Sequence, residues 1–472
     1  MLTDYEMVCG IETHVELASK TKIFCGCTTA FGGEPNTHCC PVCLGLPGAL
    51  PVLNAEVVKL AIKAGLALNC SINLHSHMDR KNYTYPDLPK AYQISQFDEP
   101  LCVGGFVMLD SGKRIGITRI HIEEDAGKLV HGSEGTFVDY NRAGVPLIEI
   151  VSEPDISTPE EAREYAEKLR LIMRYAGISD CRMQEGQMRC DVNLSLRPHG
   201  SDTFGTRTET KNINSFGNIV KAMNLEIERQ MAVLDAGGTV IRETMRYDED
   251  ANRIVSMRSK EGFDDYRFFP EPDIPPFFVD EATVSGIRAS IPELPFEKRE
   301  RYIKELGLTE YNADQLYRYK NVCAFFEAVI NTGATPRNTA NLIIVTIFSG
   351  FSTEGEKEDF DIRVTAQEMA KLVKYLDEKK ISMQTASKTL LSMLETGEGV
   401  GSFIRPEDLV GMDADELLAL CQKAVEENPK AADDVRSGKD KAINVLKGYV
   451  MKNSRGRADS AEAERIIRSL LV

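Results

Sequence analysis

Gly10-Ile-Glu-Thr-His-Val-Glu-Leu17 alternates with a period of two. In an extended strand Ile11, Thr13, Val15 and Leu17 share one face, and Glu12, His14 and Glu16 share the other. The same period returns in Arg189–Arg197, where Cys190, Val192, Leu194 and Leu196 oppose Arg189, Asp191, Asn193, Ser195 and Arg197. In the next such segment Arg207, Glu209 and Lys211 project together. Half-buried strands with charged outer faces are expected of an antiparallel sheet with one polar side. For any one strand those charges could be no more than a solvated surface. His, Glu, Asp, Arg and Lys on successive faces point instead to a shared site.

Two further segments add carboxylates to that face. Thr118-Arg-Ile-His-Ile-Glu-Glu-Asp125 ends a strand in three consecutive acids, and alternation sends Glu124 inward after Ile120 and Ile122. Pro146-Leu-Ile-Glu-Ile-Val151 holds Glu149 as its only charge. A carboxylate in such a run needs a partner, a metal or a raised pKa. An internal salt bridge would satisfy it as well as a site would. Two carboxylates and His14 could hold a hard divalent cation such as magnesium, which commonly bridges carboxylates to nucleotide phosphates. Tyr83, Tyr85 and Tyr92 lie among Lys81, Asp87 and Lys90, a mixture able to stack on a base and neutralise phosphate. A surface loop pinned by Pro86 and Pro89 is the plainer reading.

Five of the twelve cysteines fall between positions 25 and 43. Cys25-Gly-Cys27 and Cys40-Pro-Val-Cys43 are two close pairs, each able to give two thiolates to one tetrahedral ion. His38 is the only evident base nearby, so a structural zinc on Cys25, Cys27, Cys40 and Cys43 is expected over a nucleophilic cysteine. The other cysteines are scattered singly, as in a reduced, cytoplasmic protein. The opening Met-Leu-Thr-Asp-Tyr-Glu is acidic and has no apolar core, so no secretory signal is expected. No run of about 18 apolar residues suggests a membrane span.

At 472 residues and 42% apolar content the chain can build more than one core. Its net charge of -16 argues against broad nucleic-acid binding. The charge is uneven, however: Lys439, Lys441, Lys447, Lys452, Arg455 and Arg457 face one acid, Asp440, within 437–457. Ala442, Val445, Leu446, Tyr449 and Val450 have helical spacing there, so a helix could pack while its lysines face outward. Strands dominate to about residue 290, with helices at about 54–68, 158–176 and 215–234. Gly104-Gly105 and Gly237-Gly238 read as hairpin turns. After Ile291-Pro-Glu-Leu-Pro-Phe296 the period is helical, near 296–306, 312–332, 336–349, 365–378 and 382–396, and a Gly-rich break at 395–402 sets off a last helical unit. The fold class is therefore α+β. Its domains are 1–293, mainly antiparallel sheet, an all-α domain over 294–400, and a small all-α tail over 401–472. No P-loop, Gly-x-Ser-x-Gly elbow or Gly/Ser-rich amidase stretch is present.

Taken in order, these segments resemble the B subunit of the bacterial tRNA-dependent amidotransferases, the GatB type with a YqeY-like tail. The resemblance rests on Gly10–Leu17, Cys40–Gly48, Asp79-Arg-Lys-Asn-Tyr-Thr-Tyr-Pro-Asp87 and Lys90-Ala-Tyr-Gln-Ile-Ser-Gln96. It continues through Ile122–Lys128, Pro146–Asp155, Arg189–Pro198, Asp265-Tyr-Arg-Phe-Phe-Pro-Glu-Pro-Asp273 and Val450–Asp459. It implies a cradle-shaped kinase domain acting with ATP and Mg2+ on Glu carried by tRNA(Gln) or Asp carried by tRNA(Asn). A glutaminase A subunit would supply ammonia, and a small C subunit would tie the other two together. His14, Glu124 and Glu149 match positions that hold Mg2+, with Glu12 beside them as a catalytic group. Lys81, Tyr85, Lys90, Arg189, Ser195 and Lys211 are the residues expected to contact ATP or the aminoacyl group. The six basic residues of the tail are expected to touch tRNA. Cys39 sits where the family more often has an apolar residue and reads as a non-ligand. A non-catalytic tRNA-binding scaffold and a stand-alone ATP-dependent carboxylate-amine ligase are the competing classes.

Overall fold

The computed structural model describes residues 4–259, 266–404, 414–454 and 458–471. Arg455 and Arg457 lie outside them. The chain divides into two compact units, Met1–Leu294 and Pro295–Val472.

The first unit is built on a ten-stranded sheet. Its strands are β1 (Tyr5–Glu16), β2 (Ser71–Ile72), β5 (Cys102–Val103), β6 (Phe106–Met108), β7 (Arg114–Glu124), β8 (Pro146–Ser152), β9 (Met188–Pro198), β10 (Thr208–Ile213), β11 (Glu243–Asp248) and β12 (Arg253–Ser259). Their order is β12-β11-β10-β9-β1-β8-β7-β5-β2, with β6 also on β7. All neighbours run antiparallel except β10 and β11. A separate small sheet, the hairpin of β3 (Asp79–Asn82) and β4 (Tyr92–Ser95) with Phe269–Pro270 paired on β3, carries the lysine and tyrosine segment.

The central strands show why this order forms. Val15 opposes Ile148 on β8, and Ile148 opposes Ile122 on β7. Ile11, Val15, Leu17, Ile120, Ile122, Ile148 and Ile150 are all buried. Burial of each such side chain is worth about 1.5–3 kcal/mol. Helices α1 (Ala55–Ala67), α2 (Pro159–Tyr175) and α3 (Phe216–Asp235) pack with this sheet. Each starts at a side-chain cap: Asn54, Thr158 and Ser215 accept from the backbone N–H of Glu56, Glu161 and Asn218.

Both glycine pairs differ from expectation. Gly104-Gly105 separates β5 from β6, but those strands pair with β7 and not with each other, so the glycines bend an edge instead of reversing it. Gly237-Gly238 closes α3, with Gly237 at φ +74° and both amides returning to carbonyls of the last turn.

The second unit is helical. The pattern over 312–332 forms two helices, Glu310–Tyr317 and Lys320–Ile330, because Tyr319 is extended between them. That conformation sets its ring against Phe348 and its hydroxyl on Glu354. The pattern over 336–349 starts as an α-helix and widens into a π-turn over Leu342–Ile347. The last helices, Ala414–Glu427, Pro429–Arg436, Ile443–Asn453 and Ser460–Leu471, close on a core of Leu417, Cys421, Leu446, Val450 and Ile467. Val445, expected to pack, is 54% exposed.

Candidate active site on the polar sheet face

Strand register builds the site. His14 on β1 lies opposite Glu149 on β8, and Glu149 lies opposite His121 on β7. Opposed residues of an antiparallel pair share a face, and so does Glu123, two residues beyond His121. His14 Nε2 is 3.3 Å from Glu123 Oε1 and 3.7 Å from Glu149 Oε2. His121 Nε2 is 3.2 Å from Glu149 Oε2. One donor atom from each of His14, Glu123 and Glu149 lies within 4.8 Å of the others. Burial works to raise the Glu149 carboxyl, but His121, His14 and Lys81 overcome it and hold it below the usual carboxylate range. Glu149 is thus kept ionised in a nearly dry site. Two carboxylates and an imidazole suit a divalent cation, with water completing its shell. His121 Nδ1 is buried without a hydrogen-bond partner among the described residues.

Glu124 is not in this group. Alternation did send it inward, and there it takes the Ile94 amide at 2.9 Å and the Lys90 ammonium at 2.6 Å. One step along a strand reverses the face. The residue that joins His14 and Glu149 is therefore Glu123. His121 and Glu123 share a parity that Glu124 does not, but which parity faces His14 is set by the pairing of Glu149 with His121.

A second acidic group adjoins the first along β1. Glu12, Asp191 and Glu209 have carboxylate oxygens within 4.8 Å of one another. Lys211 Nζ reaches Asp191 at 2.8 Å and Glu209 at 3.0 Å, and Asn193 Nδ2 donates to Glu12 at 3.0 Å. Burial first, then the charges of Glu149, Glu209 and Asp191, raise the Glu12 carboxyl above its ordinary value. Ser195 lies with Glu12, Asn193 and Arg207 along a cavity of about 250 Å³. The Lys81 ammonium is 5.0 Å from the Tyr266 ring centre and 5.9 Å from that of Tyr83. Tyr85 is exposed.

Arg189 is held by Asp125 at 2.9 Å, and Arg142 places Nε and Nη2 on the other oxygen of Asp125 at 2.9 and 2.6 Å. Asp125 is buried. Burial alone would raise its carboxyl, but the two guanidiniums hold it below the usual range. A depressed carboxyl contributes stability above its unfolded pKa and loses it as pH falls through the folded one. Asp125→Asn is therefore expected to destabilise the chain by about 3–5 kcal/mol at neutral pH. The deficit should narrow in acid, as urea unfolding at pH 7 and pH 3 would measure.

Cys25, Cys27, Cys40 and Cys43 bring their sulfurs within 4.8 Å of one another. The Cys40 amide donates to Cys43 Sγ at 3.1 Å. The Cys25 thiol, hydrogen-bonded to Cys43, is the main influence holding the Cys43 thiol below its ordinary range. Four sulfurs so placed fit a tetrahedral ion. Cys39 is turned toward Asn141 Oδ1 at 3.9 Å.

The basic tail is partly neutralised by acids just outside its own stretch. Lys439 pairs with Asp434 at 2.9 Å, and Lys447 with Glu464 at 2.7 Å. Lys441 and Lys452 stand exposed.

Comparison with known proteins decides the family. The GatB/GatE catalytic domain matches residues 7–285, and the GatB domain matches residues 324–471. The chain belongs to the GatB family. It is 50% identical over 476 residues to the B subunit of the aspartyl/glutamyl-tRNA(Asn/Gln) amidotransferase of Caldicellulosiruptor saccharolyticus, covering 99% of each chain. The proteins of the same name from Carboxydothermus hydrogenoformans and Bacillus velezensis are 48% and 46% identical, over 100% and 98% of this chain and 99% and 98% of theirs. The GatB/GatE catalytic match spans both acidic groups and the four-cysteine cluster. The GatB domain match spans the tail lysines. No described helix of this GatB chain is long and apolar enough to cross a membrane.

Proposed function

We propose that the polar sheet face is the kinase site of a tRNA-dependent amidotransferase. The chain is a subunit of such an enzyme, a ligase that acts as part of a hetero-oligomer. The observation that carries the kinase reading is the meeting of His14, Glu123 and Glu149 on three adjacent strands, with Lys81 close enough to act on Glu149.

The substrate is Glu on tRNA(Gln) or Asp on tRNA(Asn). Its side-chain carboxylate resists attack by ammonia. An oxygen of that carboxylate attacks the γ-phosphorus of ATP, the bond to the bridging oxygen breaks, and ADP leaves. Ammonia then attacks the acyl carbon, gives up a proton, and phosphate departs with the amide formed. His14, Glu123 and Glu149 would hold magnesium, which supplies charge neutralisation at the phosphate oxygens. Lys81 is placed to meet phosphate negative charge, and the Tyr83 and Tyr266 rings flank its ammonium. Lys90, locked on Glu124, and Arg189, locked on Asp125, act as positioning residues. Glu12, kept less acidic than an ordinary glutamate by burial and its acidic neighbours, is suited to take the proton from ammonia. Ammonia comes from a glutaminase A subunit, and a small C subunit joins the two, all in the cytoplasm. Tests of this assignment are ATP hydrolysis by the assembled enzyme with Glu-tRNA(Gln) and with Asp-tRNA(Asn), and its loss in Glu149→Gln.

Recognition of the tRNA body falls to the helical unit, since a site that accepts a few atoms cannot identify a whole tRNA. Deleting residues 403–472 is expected to raise the KM for aminoacyl-tRNA severalfold and to leave glutamine hydrolysis intact. Among the described tail lysines, Lys439 and Lys447 are already paired, which leaves Lys441 and Lys452 for phosphate contact. Reversing both to Glu should lower the salt dependence of binding by about two units of log slope. An unchanged slope and KM would remove the tail from recognition.

A further inference from the structure

We infer that a second metal site, of the nitrogen–oxygen type, lies at the root of β3 on His77, Asp79 and Asp98. One donor atom from each of these residues falls within 4.8 Å of the other two. It takes a divalent cation, and zinc, which binds imidazole and carboxylate ligands of this kind, is the probe. The site is separate from the His14 group and from the four cysteines, and it does not depend on the kinase reading.

The imidazole is arranged as a ligand. His77 Nε2 lies 3.1 Å from Asp79 Oδ1, while its Nδ1 lies 3.3 Å from Glu99 Oε2. The Glu99 carboxylate on Nδ1 is the usual outer partner of a metal-bound histidine, and an ion at this site would take the place of the contact between Nε2 and Asp79 Oδ1. Asp79 is buried, and its Oδ2 is occupied by the Phe97 amide at 2.7 Å, so Oδ1 is the oxygen presented. His75 approaches the same Glu99 oxygen at 2.8 Å and packs its ring on Phe278.

The backbone on both sides is tied before any ion binds. Gln96 Nε2 donates to Ser76 Oγ at 2.6 Å and to the His77 carbonyl at 3.2 Å, and Gln96 Oε1 takes the Ile122 amide. Ser76 Oγ donates to the Glu99 carbonyl at 2.6 Å, and Asp79 pairs with Ser95 across the hairpin. The donors therefore sit on a rigid frame, which lowers the ordering cost of binding. Three carboxylates, Asp79, Asp98 and Glu99, crowd around two histidines, and a divalent ion neutralises the excess. Asp79 and Lys81 occupy like positions on β3, so an ion here would anchor the strand that delivers Lys81.

The test is zinc titration of the metal-stripped full chain by calorimetry, with metal counted after dialysis. Wild type is compared with His77→Gln, Asp98→Asn, Glu99→Gln and Glu149→Gln. Loss of one equivalent, or a drop of at least about tenfold in its affinity, is expected in both His77→Gln and Asp98→Asn. Glu99→Gln should weaken the same equivalent by about 10–100-fold. Glu149→Gln should leave it in place. Because Asp98 is exposed, its replacement separates lost coordination from lost folding. Either ligand variant titrating like wild type overturns the assignment. So does a zinc-soaked crystal with no anomalous peak beside His77 Nε2.

Discussion

Glu149→Gln reduces aminoacyl-tRNA-dependent ATP hydrolysis by about 10²–10³-fold or more, while glutamine hydrolysis by the glutaminase partner stays measurable. The magnitude is that of removing one electrostatic contact to the charge that develops during reaction. The substitution keeps shape and removes charge. The charges of His121, His14 and Lys81 outweigh the burial of Glu149 and hold its carboxyl below the usual range, so the variant removes a charge that the folded site favours. Its neighbours separate the readings. Glu123→Gln should match Glu149→Gln, since both carboxylates face His14. Glu124→Gln should instead act by releasing Lys90, with a smaller fall in kcat. Wild-type ATP hydrolysis in Glu149→Gln would take the residue out of the site and leave the histidine–glutamate group as an internal salt bridge.

The contrast between Glu123 and Glu124 shows where sequence reading stops. Alternation in Gly10–Leu17 and Arg189–Arg197 disclosed the polar face, and the parity of Glu12, His14, Asp191, Glu209 and Lys211 on it. Three consecutive acids do not say which one meets His14. That depends on which residue of β7 lies opposite Glu149, and the pairing to His121 is set by the apolar rows of Ile120, Ile122, Ile148 and Ile150 in three dimensions. Arg189 and Lys90 were legible as cations on the right segments. Their confinement by Asp125 and Glu124 was not, because those partners come from the far end of β7 and the residue after it. The tail is a parallel case. Six cations against one acid is a fact of the local sequence, but folding brings Glu464 onto Lys447 from the following helix. The four-cysteine cluster needed less help, since pairs two and three positions apart place their own two sulfurs together and the fold has only to bring the pairs face to face.

Cys25→Ser is expected to abolish zinc binding at the four-cysteine cluster and to lower the melting temperature of the zinc-loaded chain by several degrees. Four thiolates within one cluster bind zinc with an apparent free energy of about 10–16 kcal/mol in isolated knuckles, and that binding is coupled to folding of the loop. In this chain the loop from Cys25 to Cys43 is also tied by a bridge between Thr21 and Thr28, by Asn36 bonded to Val138 and Asp139, and by Asn141 bonded to the segment around Glu34 and His38, so the variant is expected to lower stability without unfolding the domain. The loss should reach the site through one shared cavity of about 190 Å³, lined by Lys22, Phe24, Cys25, Cys43, Lys90 and Glu124. Loosening that wall frees Lys90 from its place on Glu124, so ATP hydrolysis should fall by a modest factor and not vanish. Cys39→Ser supplies the control. Its sulfur is turned to Asn141, and the variant should keep about one zinc per chain. Metal analysis of freshly reduced protein decides the matter. A Cys25–Cys43 disulfide with no metal would overturn the four-cysteine site, and loss of zinc in Cys39→Ser would replace one of its ligands.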